Sequence, residues 1–497
     1  MTGVPLAVLE AIVADSGLGE TLEALLPTGV RHRQLPISTL LVGMLADVAD
    51  GRPAHLTRVL DALRALPADD QKRLGVLAEW KSGPHLLTYR QVEHTASLLV
   101  SALAKAHPDG APSPRLQQAC DRLLEASIPA WVKQSSRSLA VDWTDVESWS
   151  RPVPADETGA ADPEARWGHR NVHRTIELGD RFFGYYLSGA TMVADENGRL
   201  VPELARRMTL CSSAHDPAGQ LAGVLSGLPA EKVTLGDVLA DSGYAYRVPD
   251  TWANPLRAAG AQLIQDLHPA DRGPHGTHQG AIICNGNLYC PKTPQRLLQL
   301  IPLPPGASTE QTEAHDQQTS ELARHKLGLH ASEDTDGYRR HTCPAAAGKI
   351  RCPLRQASMA LDRDRPEILN PPKEPSACCT QLTIIAGPEV AAKTRQKHDY
   401  PSKAWRISYH RRTGAERLNA SIKDPATTTI ARGWIRLFGV APTMLFLACL
   451  LAARNQRTLA SYQARQDDQA RRAAAGKPPR ARRRRRAYRA EPAPTPT

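Results

Sequence analysis

No two of the nine cysteines in this chain are spaced Cys-x-x-Cys. The knuckle pair that most strongly signals structural zinc is therefore missing. No secretory leader is expected either. The opening MTGVPLAVLEAIVADSG has no cationic start and carries Glu10 and Asp15 inside its apolar stretch. A cytoplasmic protein is expected, with cysteines that are reduced, metal-bound or simply buried. One apolar run could be mistaken for a membrane span. Residues 437–453 (LFGVAPTMLFLACLLAA) carry no charge, but Pro442 interrupts them and Arg436 and Arg454 close them off. The run is short for a bilayer, so a buried helix is expected there and no membrane partner. No helix-turn-helix signature stands out.

Positive charge is what the chain has. Its 497 residues carry a net charge of +11, which favours a polyanionic partner, nucleic acid first. At 41 % hydrophobic residues it can bury a large core, in two or three domains.

The most informative stretch is residues 409–423, YHRRTGAERLNASIK. Read as a helix, it places Tyr409, Arg412, Glu416 and Lys423 within an arc of roughly 60°. One carboxylate, two cations and a phenol then share a face. Such a face suits a metal ion held against a phosphate backbone. The plainer reading is a solvated face with an i,i+4 Arg–Glu pair. The spacing Tyr-x2-Arg-x3-Glu-x6-Lys resembles the YREK signature of one group of DDE-type insertion-sequence transposases, at every fixed position. The resemblance requires two upstream aspartates on strand-like segments.

Both can be found. Residues 1–135 read as all-helical, with apolar spacing over 6–12, 22–26, 40–48, 56–66 and 86–106, and Thr88 with Gln91 as a capping pair. This helical domain could bind DNA ends or serve only for packing and dimer contacts. At Ser138 the pattern changes. The run LAV ends at Asp142, with Asp145 in reserve, and residues 182–195 read as a strand followed by an ENG turn. Residues 168–180 also carry β-type runs, and a helix is expected over 215–229. VTLGDVLAD then carries a strand to Asp241, where Gly243 allows a tight exit. Asp237 lies within that strand as the alternative acid. A helix over TWANPLRAAG and a strand over AQLIQDL follow. Strand–acid–loop–helix–strand is the order of an α/β unit, whose sites gather at strand C-termini. The expected fold class is α/β, a ribonuclease H-like core in two parts, 136–270 and 399–460.

Residues 271–398 lose that pattern and read as an insertion holding Cys284, Cys290, Cys343, Cys352, Cys378 and Cys379. CNGNLYCP, HTCPAAAGKIRCP and ACC could assemble a tetrahedral Zn²⁺ site, or the thiols could be reduced packing residues. Strand character returns at QLTII (381–385). Pro425 disfavours helix at Asp424, which could cap a following helix. Residues 461–497 read as a disordered tail with a five-arginine run at 482–486, which adds salt-sensitive DNA affinity.

The resemblance implies a cut-and-paste transposase. Asp142, Asp241 and Glu416 would hold two Mg²⁺ ions, or Mn²⁺ in their place, for phosphoryl transfer. Tyr409, Arg412 and Lys423 would contact DNA. Partners would be terminal inverted repeats, target DNA and a second copy of the chain, in a bacterial, nucleoid-associated setting. The rival is a catalytically silent, transposase-derived DNA-binding regulator. A third possibility, another ribonuclease H-like nuclease, has no evident need of the Tyr–Arg–Lys set.

Overall fold

The computed structural model describes residues 3–27, 33–80, 83–104, 110–154, 159–170, 181–424 and 429–479. Eight helices come first: α1 (Leu6–Ser16), α2 (Leu18–Glu23), α3 (Ile37–Ala49), α4 (Leu56–Arg64), α5 (Ala68–Arg73), α6 (Tyr89–Leu103), α7 (Pro114–Ala126) and α8 (Ala130–Ser135). The pair at the start of α6 forms, with Thr88 N donating to Gln91 Oε1 at 2.8 Å. One feature departs from an all-helical reading, an antiparallel hairpin of β1 (Leu77–Trp80) and β2 (Gly83–Leu86).

The fold is mixed α/β. Its main sheet contains β3 (Ser138–Glu147), β4 (Arg166–His169), β5 (Arg181–Val193), β6 (Ala205–Ser212), β7 (Asp237–Ala240) and β8 (Gln262–Gln265). β5 lies antiparallel between β3 and β6, and β4 pairs with its first residues. On the far side of β3, β7 and β8 run parallel to it. The spatial order is thus third, second, first, then two parallel strands. Asn197, at a left-handed φ of 60°, makes the turn after β5. Residues 171–180, expected to carry strand runs, lie outside the described residues.

Both faces of this sheet are covered. Leu139, Val141, Ala190, Met192, Val238 and Leu263 pack against α9 (Pro217–Ser226) and α11 (Ala253–Ala258). On the other face, Ala140, Val193, Leu239 and Ile264 meet α15 (Lys403–Tyr409) and α16 (Thr413–Lys423), through Trp405 and Ala415. Residues continuous with that face, Tyr185, Leu187, Met208 and Leu210, join one large apolar cluster with α16, the N-terminal helices and α17 (Val440–Ala474).

α17 realises the buried helix expected over residues 437–453, and no described helix is long and apolar enough to cross a membrane. It packs on α3, α7 and β6. Asn455, fully buried, pins it. Its side chain accepts from Ala205 N (2.9 Å) and donates to Ala205 O (2.9 Å) and Ser127 Oγ (2.8 Å). The helix runs on to Ala474, so the first part of the expected disordered tail, residues 461–474, is helical instead. Its Gln, Arg and Ala residues are strong helix formers, and the buried start removes the nucleation cost. α16 ends at Lys423, as Pro425 required of Asp424, while the helix that Asp424 was expected to cap and the arginine run at 482–486 lie outside the described residues.

Residues 271–398 form two small antiparallel sheets. One contains β9 (Pro274–His278), β10 (Ala281–Cys284) and β11 (Asn287–Tyr289). The other contains β12 (Gly328–Leu329), β13 (Arg339–Thr342) and β14 (Thr383–Ala386). The segment also carries a longer helix (Thr309–His325) and a short one (Ala377–Thr380). The segment rejoins the main sheet along β8, where Lys397 N donates to Leu263 O at 2.9 Å and Gln265 N donates to Gln396 Oε1 at 2.8 Å.

Candidate active site

Asp142 does not end its strand. β3 continues to Glu147 because β5 pairs with it that far. The parallel ladder with β7 stops at Ala140, however. The Asp142 carboxylate therefore stands just past that ladder, on the face that carries Ala140 and α16. Asp241 follows the last residue of β7 and caps a short helix, Ser242–Ala245, accepting from Gly243 N at 2.9 Å. The exit at Gly243 is tight, since a helix starts directly after Asp241. The glycine's φ is ordinary, and what it supplies is room. A Cβ there would lie 2.6 Å from the Trp143 ring and 3.1 Å from Asp241 Oδ1.

The two aspartates act on each other. Burial and then the charge of Asp241 push Asp142 up to about 7, against the pull of Arg412, the Trp143 amide and the Asn419 side chain. Burial also raises Asp241, while Arg412 and the amides of Gly243 and Tyr244 oppose it. Two recessed carboxylates that resist ionising together form a donor set that suits a hard cation. Asp142 and Asp241 would be the residues to hold it.

The stretch 409–423 is not one regular helix. α15 ends at Tyr409, a 3₁₀ turn covers His410–Arg412, and α16 starts at Thr413. The tighter turn re-aims Tyr409 relative to α16. Tyr409 stacks on Trp405 (centroids 4.8 Å apart, planes 15°), and the Arg412 guanidinium lies 5.6 Å from its ring centre. Trp405 in turn donates to Gln265 O at 3.1 Å. Arg412 is held in its charged form by Tyr409, Glu416, Asp241 and Asp142, which outweigh its burial. It thus sits between Glu416 and the two aspartates. Glu416, about half exposed, is ion-paired with Arg412. Lys423 pairs with Asp145 at 2.6 Å, and Arg170 reaches the same carboxylate at 2.8 Å. Burial would raise Asp145, but these cations outweigh it and hold it below the usual range.

The structure therefore brings Asp142, Asp241, Arg412 and Tyr409 together. It turns Glu416 onto Arg412 and Lys423 onto Asp145. Among the described residues, no three His, Cys, Asp or Glu side chains form a ready-made metal-ion group. Asp237 has a different task. It is buried and bound by Arg411 (2.6 Å) and Lys397 (2.8 Å), which ties the 3₁₀ turn after α15 and the end of the inserted segment to the sheet.

Two residues escaped the sequence reading. Asn419, one turn after Glu416, lies beside Asp142 and favours its ionised form. Asp266 follows β8 as Asp241 follows β7, accepts from Tyr400 at 2.7 Å and adds negative charge felt at Asp241. The phrase QLIQD repeats the pattern of VLAD and was the available signal for Asp266. The chain matches no protein-family model and no curated protein.

Proposed function

We propose that the chain is a DNA transposase of the DDE type, built on a ribonuclease H-like core. The observation that carries this is the pair Asp142–Asp241. Two carboxylates from adjacent parallel strands face Arg412 and α16, the helix that bears Glu416 and Asn419. An antiparallel three-strand meander continued by two parallel strands supports the core assignment. The net positive charge supports a DNA partner.

Asp142 and Asp241 would hold Mg²⁺, with Glu416 joining after release from Arg412. The ions supply a lowered pKa for the attacking water or 3′-hydroxyl and charge neutralisation at the leaving oxygen. The chain's own residues do the rest. Arg412, freed of Glu416, is placed to neutralise a phosphate beside the aspartates. The Trp143 amide, donating to Asp142 Oδ1 at 2.9 Å, orients the Asp142 carboxylate. Lys423 lies where it can exchange Asp145 for a second phosphate. Positioning and charge stabilisation then carry the transfer.

A DNA fragment bearing the inverted repeats that flank the coding region should be cleaved at its ends in Mg²⁺ or Mn²⁺. Asp142→Ala, Asp241→Ala and Glu416→Ala should each slow cleavage at least about a hundredfold while leaving DNA binding intact. Full cleavage by all three variants would reject the assignment. A second reading is favoured by one observation, the pairing of half-exposed Glu416 with Arg412 away from the aspartates. It is a silent DNA-binding regulator, and it predicts repeat binding with no cleavage by the unmodified chain.

A further inference from the structure

Five of the cysteines between residues 271 and 398 gather from four separate points of the chain. Cys290 follows β11, Cys343 follows β13, Cys352 lies nine residues on, and Cys378 and Cys379 sit in the short helix Ala377–Thr380. All five are buried. Cys290, Cys343 and Cys352 pack in one small cluster with Ala345, Ile350 and Ile368. Cys378 and Cys379 have their sulfurs 3.8 Å apart. We propose that Cys290, Cys343, Cys352 and Cys379 form a structural Zn²⁺ site that holds the two small sheets of the inserted segment together.

The first support is the neighbourhood. Cys290 feels the charge of Cys343, Cys379 and Cys352, and Cys352 feels that of Cys343 and Cys379. Cys284, although buried, shows no such coupling, and its thiol is raised by burial alone. The second support is the local backbone. Cys290, Cys343 and Cys352 are each followed by proline. The amide two residues on then points back at the sulfur, Lys292 to Cys290 and Leu354 to Cys352. The third is charge. Arg355 lies beside Cys379 and Cys352. Four thiolates on Zn²⁺ leave a net charge of −2, which such a cation offsets.

The fourth is economy of core. This segment has only small apolar clusters, and five thiols make up much of two of them. A small core of this kind is commonly fastened by a metal. The sulfurs do not stand at ligating separation as described, so binding would draw them together by side-chain rotation. His341, two residues before Cys343, lies within β13 and is not assigned as a ligand.

The site makes no use of the proposed cleavage chemistry and is tested without it. The full chain, purified without added metal, should contain about one zinc per chain by plasma mass spectrometry. Cys343→Ser and Cys352→Ser should lose it, while Cys120→Ser and Cys284→Ser should retain it. Because a ligand variant can fail to fold, the unmodified chain is also to be reconstituted with Co²⁺. Intense thiolate-to-cobalt absorption with tetrahedral visible bands is expected. Substoichiometric zinc together with a cobalt spectrum lacking thiolate bands would overturn the site. So would zinc that survives both Cys343→Ser and Cys352→Ser.

Discussion

Arg412 sets the charge of the proposed site. Its guanidinium neutralises Glu416 directly and stands in the field of Asp142 and Asp241. Even so, Asp142 is driven up to about 7 from an ordinary 3.8. In the unfolded chain that carboxyl loses its proton near 3.8, and in the folded chain only near 7, so between these values the folded state holds the extra proton. Its contribution to stability is present in full at low pH and is lost as pH rises through the folded value. Asp142→Asn should therefore melt like the unmodified chain near pH 3, below the unfolded value, and be more stable at pH 8, by about 1–2 kcal/mol given the partial exposure of the site. Mg²⁺ should raise the melting temperature of the unmodified chain at pH 8 and leave that of the variant nearly unchanged. Equal melting at both pH values would show that burial costs Asp142 little. The positions of the two aspartates were legible because an acid after a short apolar run is a local pattern, although β3 runs on past Asp142. Asn419 and the Glu416–Arg412 pairing were not, because side-chain direction depends on packing that the spacing does not encode.

At the scale of elements, helices with an apolar stripe were readable from period alone, as α3 and α6 show. The break at His410–Arg412 was not readable. Nothing in HRRT forbids an α-helix, and the turn tightens where Trp405 and Tyr409 stack on the sheet side. The turn after β7 shows a related point about glycine. Gly243→Ala should press on Trp143 and the Asp241 carboxylate and cost about 1–3 kcal/mol, measured by urea unfolding, with slower DNA cleavage. Gly223→Ala in α9, where an added Cβ meets nothing within 4 Å, should instead stabilise by up to about 1 kcal/mol. Destabilisation of equal size by both would mean that the contact with Trp143 is not what Gly243 protects.

At the scale of the whole molecule, the pairing of the last helix with the first helices had no local sign, since such contacts join residues hundreds of positions apart. α17 fills the centre of the apolar cluster that α1, α3 and α7 line. A chain ended after residue 474 should keep its melting temperature. It loses residues 475–497, with a net charge of +7 out of +11, so its DNA affinity should fall less steeply with salt, by several units of log–log slope. A chain ended after residue 439 should not fold, as judged by far-ultraviolet circular dichroism and proteolysis. A stable, helical product from that shorter chain would show that the N-terminal helices close their own core.

The placement of α17 has a consequence for synthesis. Domains made first on the ribosome usually fold first, but the opening helices here wait for a segment translated near the end. Until residues 440–453 emerge, Leu40, Leu41, Leu45 and their neighbours lack their central partner. Premature stops should therefore yield fragments that are degraded rather than folded. A disrupted copy of the gene would then supply no N-terminal piece to compete with the intact protein for its partners.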